Sequence, residues 1–116
     1  RDAVPTVPVD DLLAVLLARP PAEPTRMIRA LNGLRAADIW NAANGRRPPE
    51  DPRYPEAVER AVRHPERQVV RAVVDAVHDL MEIRPGLEAP VVALRGADGP
   101  ARDVIDDFAG FCDGLR

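Results

Sequence analysis

A chain of 116 residues with 46% hydrophobic and 30% charged side chains has the make-up of one folded domain, and at this size folding hides roughly 65% of the extended chain's surface, enough for one core without staples. The single Cys112 excludes an intramolecular disulfide and a cysteine zinc cluster, and the lack of any serine excludes a serine nucleophile. A net charge of −3 leans against a general nucleic-acid binder; no apolar run reaches the ~20 residues of a membrane span, and no basic-then-apolar leader is present.

Residues 1–8, "RDAVPTVP", carry two prolines and read as an extended arm, leaving 9–116 as a single helical domain. In "DDLLAVLLARPP", Asp10 is placed to cap a helix and Asp11 suits its first turn, while Pro20 and Pro21 stop it. Leu12, Leu13, Leu16 and Leu17 form its apolar side. Thr25 is placed to cap a second helix, "TRMIRALNG", with Met27, Ile28 and Leu31 inside and Gly33 as its stop. A third helix, "LRAADIWNAANG", is expected to pack Ala36, Ile39, Trp40 and Ala43 inward and to end at Gly45.

"RRPPEDPRYP", with four prolines in ten residues, is a loop. Pro55 suits the first turn of "PEAVERAVRH", where Glu56–Arg60 and Glu59–Arg63 are spaced for i,i+4 ion pairs. The strongest signal follows. Apolar residues at 69, 70, 73, 74, 77, 80 and 81 hold a helical stripe for more than three turns, which predicts a central helix at about 66–83. Residues 87–95 read as a short helix or irregular structure, because no second strand is visible to pair with "APVVALRG". The last helix turns Val104, Ile105, Phe108 and either Phe111 or Cys112 inward, with a buried, inert thiol at Cys112. The sum is an all-α bundle of five or six helices.

Two patterns bear on chemistry. Setting Gly33 at the turn of a helix-turn-helix over 25–47 places Ile28, Leu34 and Ile39 well. Arg29 and Asn32 then fall where small and apolar residues belong. The end of the segment, "IWNAANGRRPP", resembles the close of the recognition helix in phage-repressor-like proteins. If the segment reads DNA, its side-chain chemistry makes Arg35 and Asn41 the candidates for base edges and Arg46 and Arg47 those for phosphate, and five arginines against Asp38 between 25 and 47 add a basic patch. On the central helix, Asp75, His78, Asp79 and Glu82 share one face at i, i+3, i+4 and i+7, a spacing that metal sites of helical bundles use. A solvated acidic face, with Arg71 pairing Asp75, is the plainer account.

No catalytic, cofactor or metal site is legible: "GADGP" lacks the lysine and hydroxyl of a phosphate loop, and the two histidines form no relay. The expected function is a non-catalytic protein–protein interaction or adaptor module, with self-association as one form of it. A nucleic-acid-binding domain using 25–47 is the alternative. All sixteen basic residues are arginine, which suits binding surfaces. With abundant Ala, Val, Pro and Gly, this also points to a GC-rich, bacterial coding source and a cytoplasmic setting. The start at Arg1 reads as a trimmed chain or a domain of a longer protein.

Overall fold

In a computed structural model, which describes residues 7–115, the chain forms six helices. They are α1 (Val9–Leu16), α2 (Pro24–Ala43), α3 (Arg53–Val62), α4 (Arg67–Leu80), α5 (Ala89–Val92) and α6 (Arg102–Gly114). No strand occurs among the described residues, and the architecture is the all-α bundle the periodicities predict. Most of the expected N-terminal arm lies outside the described residues.

The expected central helix is α4. Val69, Val70, Val73, Val77 and Leu80 are almost fully buried along one stripe, and α2, α3 and α6 all pack on it. β-Branched valines cost some helix propensity, so this packing holds the helix in place. Around it, α1 lies across α2, α3 touches α1 and α5, and α5 leads into α6. The segment 87–95 holds the short α5, with Val91 fully buried. In α6 the choice between Phe111 and Cys112 falls to Cys112: Ile105, Phe108, Ala109 and Cys112 face in, and Phe111 is exposed.

The largest departure is in α2. Residues 24–43 form one 20-residue helix that runs straight through Gly33. Gly33 is a contact point: a Cβ there would stand 3.0 Å from Leu12 Cδ1, so the missing side chain lets α1 lie close across α2. The helix ends where expected. Gly45 takes a positive φ of 70°, Arg46 N–H donates to Asn41 C=O at 2.8 Å, and Gly45 N–H donates to Ala42 C=O at 3.1 Å.

The predicted caps are replaced by other devices. Asp10 makes no side-chain cap; α1 follows Pro8, and Asp10 and Asp11 both sit in its first turn. Pro24 opens α2 after Glu23, with Thr25 already inside. Arg60 does not pair with Glu56. Its guanidinium donates to the carbonyls of Leu17 (2.6 Å) and Ala18 (3.2 Å), satisfying the end of α1 from a neighbouring helix. At the other end of α1, Arg53 binds both Asp10 and Asp51, and the Arg53 hydrogen bonds hold the Asp51 carboxyl down at about 2.

Candidate functional site

Helix α2 buries Met27, Ala30, Leu31, Leu34, Ala37 and Asp38. Ala36, Ile39 and Ala43, expected inside, are exposed, and Trp40 is only half-buried. The sequence carries small apolar residues on both sides of the helix, and the longer side chains of Met27, Leu31 and Leu34 win the contact with α4. What remains is an open groove of about 1330 Å³ between α1 and α2. Val15 and Ala18 line one wall, Ala36, Ile39 and Trp40 the other. Ile39 is 44% exposed. The buried Nε1–H of Trp40 has no acceptor in the protein, and the Arg46 guanidinium carbon lies 5.3 Å from the centre of its ring.

Three arginines, Arg26, Arg29 and Arg35, stand among the groove's lining against one acid, Asp11. Arg35 reaches Asp79 of α4 at 3.2 Å. Among the described residues neither Arg26 nor Arg29 makes an ion pair, whereas Arg53, Arg67, Arg84, Arg95 and Arg102 all do.

The neighbouring residue Asp38, in sequence a lone acid among five arginines, is 2% exposed. It forms a three-part cluster. Arg84 donates to both carboxylate oxygens, Nε to Oδ2 at 2.6 Å and Nη2 to Oδ1 at 3.1 Å. The Tyr54 hydroxyl donates to Oδ2 at 3.0 Å. The Arg84 guanidinium lies 3.9 Å from the centre of the Tyr54 ring, and its Nη1 donates to Pro49 C=O at 3.2 Å. Burial, then the Asp38 charge, pushes the Tyr54 phenol well above its ordinary range. Burial works against the charge on Arg84, but hydrogen bonds and attraction from Asp38 outweigh it, and Arg84 is held above its usual value. Every partner is engaged, so the cluster locks the proline-rich loop and the end of α4 to α2.

The acidic face of α4 is also placed. Asp79 is taken by Arg35, and among the described residues no ion pair joins Arg71 to Asp75. His78 lies within 3.4 Å of Asp79 and packs its ring 4.8 Å from Phe111 and 6.5 Å from Phe108. Among the described residues no group of three or more His, Cys, Asp or Glu side chains could hold a metal ion, and no helix is long and apolar enough to cross a membrane.

The helix-turn-helix geometry does not form, because α2 has no turn at Gly33. The four residues assigned to nucleic acid are spread out. Arg35 lines the α1/α2 groove, and Arg47 lines a separate cleft beneath the proline-rich loop beside Arg84. Asn41 is half-buried with its carbonyl in the helix cap, and Arg46 covers Trp40. Sequence reasoning missed the Asp38–Tyr54–Arg84 cluster altogether. The one available signal was an aspartate inside an apolar helical stretch. Comparison of the chain with protein-family models, with curated proteins and with solved structures returns no match.

Proposed function

We propose that this chain is a non-catalytic protein-interaction module and that the α1/α2 groove is its docking surface. The observation that carries this is the exposure of Ile39, Ala36 and Ala43 beside the only tryptophan, ringed by arginines. Water over such a groove is displaced favourably by another apolar surface. Tryptophan and arginine are also the side chains that most often anchor interfaces. The small alanines leave room for a partner backbone, and the shape suits a segment that lays an apolar stripe into the groove. The unpaired Arg26 and Arg29 favour acidic flanks on that segment.

The test uses Trp40, the chain's single tryptophan, as its own reporter. A synthetic amphipathic helix with a leucine stripe and glutamate flanks is titrated into dilute protein, beside a lysine-flanked version of the same peptide. A saturable change in Trp40 emission with the acidic peptide, lost in Ile39→Asp, is the expected result. No response, or an equal response to the lysine peptide, counts against the reading. Labelled duplex DNA forms a third arm. Sub-micromolar binding at physiological salt, lost in Arg46→Ala/Arg47→Ala, would move the function to nucleic-acid binding.

A further inference from the structure

A second exposed apolar patch lies on the other side of Arg35. Phe111, 45% exposed, lies on α6, and Leu115, 62% exposed, follows directly after the helix; Asp107 stands one turn before Phe111. The ring of His78 packs on Phe111; Asp75 stands one turn before His78 on α4, and the exposed Glu82 lies in the turn that follows the helix. Among the described residues Asp75, Glu82 and Asp107 make no ion pair. This ridge is therefore aromatic at its centre and acidic at its rim, the complement of the groove, which is apolar at its centre and basic at its rim.

The two patches adjoin. Arg35 lines the groove and binds Asp79, Asp79 touches His78, and His78 carries Phe111. Complementary patches side by side on one molecule satisfy the condition for a closed two-fold pair. A two-fold axis lying in the interface over the Arg35–Asp79 pair sets each ridge against the other copy's groove, so the contact is made twice and no binding site is left open.

We infer that the occupant of the groove is a second copy of this chain, docked through its Phe111–Leu115 ridge in an isologous dimer. This rests on the docking role proposed for the groove. Phe111 and Leu115 enter beside Ile39 and Trp40, and Arg26 and Arg29 meet Asp75, Glu82 and Asp107. An interface of opposite charges around an apolar centre fixes register and weakens as salt rises.

Sedimentation of the whole chain over a concentration series should show a monomer passing to a dimer and stopping there, with Trp40 emission changing over the same range. Ile39→Asp and Phe111→Ala lie at exposed positions and should keep the helical circular-dichroism spectrum. Each should raise the dimer Kd by roughly thirtyfold for each of the two symmetric contacts, the change a 2 kcal/mol anchor loss produces. Mixed together, the two variants should associate more tightly than either does alone, because one intact groove then meets one intact ridge. A chain that stays monomeric at millimolar concentration overturns the inference. So does a dimer that Phe111→Ala leaves unchanged, or one that the mixture does not rescue. A monomer that still takes the acidic peptide overturns the dimer and leaves the docking reading standing; a monomer that takes no peptide overturns both.

Discussion

Asp38 and Ile39 are neighbours on α2 with opposite fates. The aspartate is 2% exposed and the isoleucine 44%. On Asp38's side a charge is buried because Tyr54 of α3 and Arg84, in the turn after α4, satisfy it. On Ile39's side an apolar residue is left in water because the core is already complete without it: Leu31 and Leu34 fill the contact with α4. The polar side is finished business for the monomer. The apolar side is unfinished, and departures from the simple polarity rule of this second kind are where function is expected.

On the polar side of α2, Arg84 is the residue the fold can least lose. In the Arg84→Met variant the Asp38 carboxylate loses its counter-charge at a site where the two side chains are 3% and 13% exposed. Stranding a buried charge typically costs about 3–5 kcal/mol, a large part of a small domain's stability. Urea unfolding should show that loss. Combining it with Asp38→Leu and Tyr54→Phe should recover most of it, since an apolar trio leaves no charge stranded. A loss below about 1 kcal/mol in the single variant would show that the cluster is open to water.

Tyr54 gives a smaller effect with a defined pH dependence. Removing its hydroxyl in Tyr54→Phe should cost about 1 kcal/mol at neutral pH, because the carboxylate keeps Arg84. The sign at high pH follows from burial. The unfolded phenol releases its proton near 10.0, while the folded one is held above that value. The folded state therefore binds the proton more tightly, and stability contributed by Tyr54 is full below 10 and falls as pH rises beyond it. The chain has one tyrosine, so phenolate absorbance reads this group alone. Phenolate should appear together with loss of helical structure. Ionisation near 10 with the fold intact would contradict the buried geometry.

Much of the bundle was legible because its signals are local. The valine and leucine stripe of α4 repeats within one helix, and Gly45 stops α2 by its own backbone freedom. The failures were non-local. Gly33 looks like a helix stop until Leu12 is brought against it. Arg60 looks like a partner for Glu56 until the end of α1 arrives with unsatisfied carbonyls. Tyr54 and Arg84 stand 16 and 46 residues from Asp38, and nothing in their own neighbourhoods announces the cluster. The groove was hidden by composition: with alanines at 36, 37, 42 and 43, both faces of α2 read as apolar, and only the folded packing decides which one is covered.

The smallest expected effect on stability is the most informative about the open face. Ile39→Asp places a carboxylate where a β-branched side chain is partly in water, flanked by Arg35 one turn before it and by the exposed Ala36 and Ala43. Only part of the Ile39 side chain is covered, so little apolar contact is vacated, and no charge is sealed in. Aspartate has a slightly lower helix propensity than isoleucine, a cost of about a few tenths of a kcal/mol. The unfolding free energy of the dilute monomer should therefore move by no more than about 0.5 kcal/mol, while docking in the groove is abolished. That separation, full stability with lost binding, is what a surface kept apolar for a partner predicts. If Ile39→Asp instead lowered the monomer's stability by about 2 kcal/mol or more, the residue would be contributing to the core. The contrast between the two sides of α2 would then reduce to a matter of degree.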